Sequence, residues 1–537
     1  MMKKVIKKLL AALLAVAMVC AMAIPAFAYN YWETEEDLGQ NHCYDAFQIF
    51  TGDVTGNDTD GFKISNVGWG SSIAHPNEFL AQLTKDSTIG GEFETSFTPQ
   101  EAAAVISQWS DSDNNSIAFA RCVCNYVYSD GNSTPVLQGG HTNGFKLEEA
   151  GYYLIVDTSS FSSDANNDSY HAYNSFLLKV NQANYHVQIT PKVVKPTVEK
   201  KVYDNDDNSS WGDNNGWGSS ADHAINEEFK FRLIAKLPAS EGRAYDYYKK
   251  YTVCFNDTLS EGITFDKLDT VEITNGDGGA SQVIDAANYT RTPNGSQFFK
   301  LSIDDVKTCA PGLDLNDGAT ITVTYTAHLN ENAAVNGSAE NKNSVRLQYS
   351  NNPRPDGEYL GYTPNYTPES EVYVYTYQLN NTKLAENEHG APLKDVGFRL
   401  YSDADYKNEV ELYQDGEFYY PIKNASNKQA VEMKSAEDGT FNVKGLDAGT
   451  YYLKETKTPA DYNPCDVPPV IIKANHKGNQ VDLNGSTLST TIINNKAGGI
   501  TLPSTGGIGT TIFYVVGGGL MVAAIVLLVT KKRMENK

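Results

Sequence analysis

Residues 189–202 read "ITPKVVKPTVEKKV". From Val198 onward the run alternates, with Val198, Lys200 and Val202 on one parity and Glu199 and Lys201 on the other. Period-two alternation marks a half-buried β-strand, because successive side chains point to opposite faces. The valines identify the inward face, so Lys200 points into the core and Lys201 into water. An unpaired ammonium in an apolar interior is very costly. Lys200 must therefore be neutralised, paired or consumed.

Two other runs carry the same anomaly. In "YTVCFND", Tyr251, Val253, Phe255 and Asp257 share one parity, and in "NSVRLQY" so do Asn343, Val345, Leu347 and Tyr349. Asp257 and Asn343 each continue an apolar face. Burial lowers the pKa of a lysine and raises that of a carboxyl group. A neutral Lys200 amine can then attack the Asn343 carboxamide, with protonated Asp257 polarising it, to give an amide and ammonia. Proximity in a rigid core replaces a separate enzyme. Parity alone leaves a second reading open: a lone Lys200–Asp257 salt bridge, with Asn343 a turn residue.

The chain is acidic, with 66 acids against 43 bases and a formal net charge of −23. That balance argues against nucleic acid or anionic lipid as partner. Tyr, Thr, Val, Asn, Asp and Gly dominate the body, and alternating apolar runs recur between turn-rich stretches. The pattern predicts a mainly β chain of sandwiches in series. Six cysteines outside the N-terminal segment are too sparse for a disulfide framework. Cys122 and Cys124 lie in "ARCVCNYVY", which reads as a strand. The loops "SDSDNNS" and "DNDDNSSWGDNN" have calcium-like composition without calcium-loop spacing and read as solvated turns. No metal ligand set and no cofactor is expected. One helix stands out in "FTPQEAAAVISQW", with Thr98 as N-cap, Pro99 at N1 and Glu101 at N3 forming a capping box.

The N-terminus, "MMKKVIKKLLAALLAVAMVCAMAIPAFA", has the basic, apolar and A-x-A segments of a secretory signal peptide cleaved after Ala28. Near the other end, residues 508–530 are apolar and are followed by Lys531, Lys532 and Arg533. A run of about 20 residues at about 1.5 Å each spans a hydrocarbon core, and the basic tail places the C-terminus inside.

Between the body and this helix lies "LPSTGG", residues 502–507. The tripartite tail resembles the cell-wall sorting signal of Gram-positive surface proteins. The resemblance implies that Leu502, Pro503, Ser504, Thr505 and Gly506 form the sortase motif, and that a sortase cysteine attacks the Thr505 carbonyl, releases Gly506 and passes the acyl group to an amine. "DAFQIFTGDVTG" and "ISNVGWG" resemble the first domain of sortase-assembled shaft pilins. "KPTVEKKV", "YTVCFND" and "NSVRLQY" resemble a pilin domain with an internal isopeptide bond. "TKLAENEHGAPLKDVGFRLY", "DGTFNVKGLDAGTYYLKETKTPADY" and "TTIINNK" resemble a prealbumin-like, collagen-binding B-type domain.

The expected layout is a signal peptide at 1–28, an N-terminal pilin domain at 29–192, and an immunoglobulin-like, isopeptide-forming domain at 193–377. A prealbumin-like β-sandwich follows at 378–497, then the sorting motif and linker at 498–507, a transmembrane helix at 508–530 and a basic tail at 531–537. By resemblance Lys200 bonds Asn343 with Asp257 as the acid, and Lys383 bonds Asn494 with Glu455 as the acid. Glu455 shares parity with Tyr451 and Leu453. Asn494 follows Ile492, but neighbouring Asn495 follows Ile493 and remains an alternative. "DAFQIF" offers no lysine for a third set.

Lys192, in "ITPK", stands where shaft pilins carry the lysine that accepts the next subunit's Thr505. Thr190 replaces the usual Tyr, and Lys195 is the runner-up. The resemblance therefore implies a major pilin, with identical subunits, pilus and housekeeping sortases and peptidoglycan as partners, and with minor pilins and a host or matrix ligand as further ones. A monomeric wall-anchored adhesin and a basal minor pilin are the alternatives. Trp211 and Trp217 look exposed and suit ligand binding in the adhesin reading. No nucleophile elbow or phosphate loop points to an enzyme.

Overall fold

The computed structural model describes residues 43–498, apart from 58–60, 110–113, 130–132, 142–144, 159–174, 181–184, 188–194, 205–215, 241–242, 277–278, 294–296 and 354–365. The signal peptide, Lys192, Trp211, the sorting motif and the apolar tail lie outside the described residues.

The chain is mainly β, and three α-helices occur among the described residues, all in the first domain. There a sheet built on the long strand Cys43–Asn57 pairs with Gly61–Trp69 on one side and Gly151–Asp157 on the other, and Ser175–Val180 extends it. The helices Pro76–Leu83, Pro99–Ile106 and Asn114–Ser129 supply much of the opposing layer, with the Phe119 ring in contact with those of Phe79 and Phe93. The capping box forms: Glu101 N–H donates to Thr98 Oγ1, and Thr98 N–H donates to Glu101 Oε2 at 2.8 Å.

Cys122 and Cys124 sit in the helix Asn114–Ser129, not in a strand. Residues 117–120, 122–124, 126 and 127 are all buried. Only the narrow stripe Arg121, Asn125 and Tyr128 stays open to solvent, so over the short run Cys122–Cys124 the burial is continuous and imitates a buried strand. Two residues apart on a helix, the thiols point roughly 200° apart. None of the six described cysteines is in a disulfide.

The second domain is a sandwich of two six-stranded sheets. One runs Ser220–Asp222, Ser370–Tyr375, Lys342–Tyr349, Val253–Leu259, Phe298–Ile303, Tyr289–Pro293. The facing sheet runs Gln282–Val283, Ile263–Asn275, Ala319–Leu329, Glu228–Leu237, Thr197–Asp204, Gly216–Gly218. Strict alternation in Glu228–Leu237, with Phe229, Phe231, Leu233, Ala235 and Leu237 buried, shows why the chain folds as a two-layer sandwich.

The strand Ser370–Tyr375 closes the second domain, and Tyr377–Ala385 opens the third. In the third domain, a five-stranded sheet with Tyr377–Ala385 and Ser489–Asn494 as parallel neighbours faces a four-stranded one containing Gly397–Tyr401 and Gly449–Lys457. The two domains share a seam. Ile225 N–H donates to Gly445 O at 2.9 Å, Asn226 Nδ2 to Pro421 O at 2.9 Å, and the Tyr377 hydroxyl to Asp222 Oδ2 at 3.0 Å. Gly445 has φ +89°, and a Cβ there would meet Ile225 Cγ1 at 2.5 Å, so the close approach requires glycine.

Candidate functional site

Strand parity places each inward polar residue as expected. Lys200 is buried between partly buried Val198 and buried Val202, while Glu199 is exposed and Lys201 half-buried. Asp257 and Asn343 are fully buried. Lys200 belongs to one sheet, Asp257 and Asn343 to adjacent strands of the other. The three meet across the sandwich.

Lys200 Nζ contacts Asp257 Oδ2 directly, with both side chains sealed from solvent. A fourth group joins them. The Tyr325 hydroxyl accepts from Lys200 Nζ at 3.1 Å and from Asn343 Nδ2 at 2.6 Å, and donates to Asp257 Oδ1 at 3.1 Å. Asp257 thus reaches the carboxamide through the phenol, where direct contact between acid and carboxamide was expected. Asn343 Oδ1 is buried and accepts no hydrogen bond among the described residues.

Tyr325 lies on Ala319–Leu329 beside Val323 and Ala327, in a nest of the Phe231, Phe265 and Phe299 rings, with centroids 5.3–5.4 Å away. Burial pulls the Lys200 amine down to about 8, against the upward pull of Asp257. It pushes the Asp257 carboxyl up, against the opposing charge of Lys200. Both shifts favour the neutral pair.

The third domain assembles a parallel set. Lys383 lies toward the end of its strand Tyr377–Ala385. It is fully buried and donates to Asn494 Oδ1 at 2.6 Å and to Ile492 O at 3.2 Å. Asn494 is fully buried and Asn495 is exposed, so it is Asn494 that meets the amine. Asn494 Nδ2 donates to Glu455 Oε1 at 2.8 Å from the facing sheet. The other carboxylate oxygen accepts from Cys465 Sγ at 3.2 Å. Burial lowers the Lys383 pKa, opposed by Cys465 and Glu455. Burial first, and the Glu455 hydrogen bond second, push the Cys465 thiol up to about 12.

Sequence reasoning missed Tyr325 and Cys465. Tyr325 carried a legible signal, since it continues the inward parity of Ile321, Val323, Ala327 and Leu329. Cys465 lies in the irregular stretch after Glu455, where parity says nothing. In the first domain Lys85 and Lys146 are exposed. Lys195 is half-buried, and burial lowers its pKa. Trp217 is not the exposed ring expected: it is half-buried, with the Arg232 guanidinium 3.9 Å from its centre and Tyr203 at 5.1 Å.

Cation ligands were not expected, but the seam between the second and third domains brings Asp204, Asp222 and His476 together, with ligand-type atoms within 4.8 Å of one another and all three buried. His476 Nδ1 meets Ser220 Oγ at 2.9 Å, and Asp222 accepts from Tyr377. The strands that carry these residues are far apart in the chain, so no local motif could announce them.

Residues 378–487 match the SpaA family model, a prealbumin-like fold domain, and residues 494–536 match the LPXTG cell wall anchor motif. The chain is therefore a wall-anchored surface protein with a prealbumin-like domain. No curated protein matches it. Among solved structures it is similar to the T6 backbone pilin of serotype M6 Streptococcus pyogenes at 15% identity, covering 85% of this chain and 96% of that one with a TM-score of 0.49. It is also similar to the full-length major pilin SpaD of Corynebacterium diphtheriae at 22% identity, covering 65% and 80% with a TM-score of 0.41. A third is the 35 kDa C-terminal fragment of the major pilin GBS80 of Streptococcus agalactiae, at 22% identity, 56% and 100% coverage and a TM-score of 0.39.

Proposed function

We propose that this chain is the shaft subunit of a covalent surface pilus, stiffened by two internal isopeptide bonds and joined head to tail through Thr505 and Lys192. The observation that carries the reading is the pair of lysine–carboxylate–asparagine sets, each with a buried lysine and a buried asparagine, in a chain with an LPXTG anchor. One set bridges the two sheets of its domain, and the other joins the first and last strands of its own.

The chemistry follows from burial. Lys200 passes a proton to Asp257 across their contact. The free amine attacks Cγ of Asn343, a C–N bond forms and the Cγ–Nδ2 bond breaks. The attacking nitrogen sheds one proton, the leaving nitrogen gains one, and ammonia departs, with Asp257 still protonated as in the neutral pair. In the third domain Lys383, Asn494 and Glu455 take the same roles. Each bond forms once, so the chain is a self-modifying sortase substrate and not a turnover enzyme.

Between subunits, a pilus sortase holds Thr505 as a thioester and Lys192 of the next subunit resolves it. A housekeeping sortase then transfers the finished fibre to peptidoglycan. Minor pilins and a host or matrix ligand are the remaining partners of such a fibre, which supports adhesion.

The test is a wall digest of the native organism, boiled in detergent and blotted for this chain. A high-mass ladder that vanishes in Lys192→Ala is the expected result. A ladder that survives moves the acceptor, first to Lys195. A single monomer-sized wall-linked band refutes the shaft reading and favours a monomeric adhesin.

A further inference from the structure

We propose that Tyr325 is a catalytic residue of the second domain, whose hydroxyl relays a proton from Asp257 to the departing nitrogen of Asn343. This inference rests on the isopeptide reading above. Its basis is the connectivity of the buried cluster: Asp257 hydrogen-bonds Lys200 and Tyr325, and the Asn343 nitrogen donates to Tyr325.

The comparison between the two sets explains why a relay is needed in one and not in the other. In the third domain the acid is a glutamate, and its Oε1 accepts from Asn494 Nδ2 at 2.8 Å without an intermediary. In the second domain the acid is an aspartate, one methylene shorter. The Tyr325 oxygen lies between it and the carboxamide, 3.1 Å from Asp257 Oδ1 and 2.6 Å from Asn343 Nδ2.

The hydroxyl has the capacity for the task. A phenol offers one donor and two acceptor positions, and all three are used here, toward Asp257, Lys200 and Asn343. Burial first, and the Asp257 charge next, hold the Tyr325 pKa well above its ordinary value, so the phenol stays neutral.

The relay balances. An amide nitrogen has no available lone pair, so at rest Asn343 Nδ2 donates to the phenol. Attack by Lys200 Nζ makes Cγ tetrahedral and Nδ2 basic. For the transfer the acid proton taken from Lys200 sits on Asp257 Oδ1, and the phenol O–H, which donates to that oxygen at rest, turns toward Nδ2. The phenol proton then moves to Nδ2 as the Asp257 Oδ1 proton moves to the phenol oxygen. Nδ2 leaves as ammonia. The proton shed by Lys200 Nζ passes to Asp257 Oδ2 across their direct contact. Tyrosine ends as it began, and the acid ends protonated again, with its proton on Oδ2.

The test uses the purified full chain and its Tyr325→Phe variant. Phenylalanine keeps the ring among Phe231, Phe265 and Phe299 and removes only the oxygen. Proteolytic peptide mapping by mass spectrometry follows two crosslinks with time after synthesis, Lys200–Asn343 and Lys383–Asn494. Loss of a positioned general acid slows a reaction by about 100-fold or more. The expected result is a Lys200–Asn343 crosslink slowed by that factor in the variant, with the Lys383–Asn494 crosslink at its wild-type rate as the internal sign of a folded chain. A ring-fluorinated tyrosine at 325, which retains the hydroxyl, should restore the crosslink with a displaced pH profile. A variant that crosslinks Lys200 to Asn343 at the wild-type rate overturns the relay alone. A wild-type chain without that crosslink overturns the isopeptide reading and the relay with it. A fluorinated chain as slow as Tyr325→Phe assigns the loss to ring disturbance and also overturns the relay.

Discussion

Glu455→Gln separates the proposed covalent bond of the third domain from the contacts around it. The substitution keeps side-chain length and an oxygen for Asn494 Nδ2, but removes the group that accepts and returns the proton. Lys383 keeps Asn494 Oδ1 and Ile492 O as acceptors, so the native contacts change little. What the variant loses is the restriction on the unfolded chain. The bond joins residues 111 positions apart. In the chain-entropy model, closing a loop of that size contributes about 5 kcal/mol at 25 °C. For a domain of roughly 100 residues, each kcal/mol moves the melting temperature by about 4 °C or more, so the expected fall is about 20 °C. Calorimetry of the full chain reads the transition, and intact mass reads the bond. Allowing for the substitution itself, the variant should retain the one ammonia that wild type loses, and its third-domain transition should fall by about 20 °C. A variant that is heavier but melts with wild type would refute the stabilising role. A variant of wild-type mass would refute Glu455 as the acid.

Asn343→Ala leaves Lys200 an amine whose folded pKa, about 8, lies below its ordinary 10.5. Between those values the unfolded chain binds more protons, so the variant gains stability as pH rises, by about 2 kcal/mol from pH 8 to 9.5. Wild type has consumed the amine and lacks this gain, and a variant-to-wild-type difference in melting that does not narrow with pH would contradict the assignment. Gly445→Ala drives a Cβ into Ile225 at a positive φ, which should cost about 1–3 kcal/mol and uncouple the second and third domains. Calorimetry would show their transitions separating, and an unchanged profile would count against a tight seam. Thr98→Ala removes one half of the capping box and should cost the first domain about 1 kcal/mol, read as a lower first transition.

What could be read from the sequence was what obeys a local period. Lys200, Asp257 and Asn343 stood out because each breaks an apolar parity, and parity needs only a few neighbours. Tyr325 obeys that parity, since its ring belongs in a core and only its oxygen is polar, so it stayed hidden until the strands were brought together. The choice between Asn494 and Asn495 was open because both follow isoleucines, and burial against the facing sheet decides it. Cys122 and Cys124 were misread because the helix is mostly buried, and its open stripe of Arg121, Asn125 and Tyr128 is too narrow to betray the period over a short window. Cys465, and the cluster of His476 with Asp204 and Asp222, depend on long-range packing of irregular or distant segments, which no window of sequence encodes.

The proposed linkage also accounts for where the internal bonds fall. If a neighbour's Thr505 is joined to Lys192, tension enters each subunit between the first and second domains and leaves through its own Thr505. The first domain hangs beside that path, and its lysines Lys85 and Lys146 are exposed. The second and third domains lie on it, and each carries a set. An amide from Lys200 to Asn343 takes the load across the sandwich within a few residues of its entry. The strands Glu228–Leu237, Val253–Leu259, Ile263–Asn275 and Ala319–Leu329 are then shielded from extension. The load passes on through Ser370–Tyr375 to Lys383, and the second amide carries it to Asn494, bypassing all the strands between. The two buried sets thus stand where a one-subunit-wide fibre would otherwise yield, since a noncovalent sandwich under force gives way at its unfolding rate, whereas an amide does not depend on that barrier.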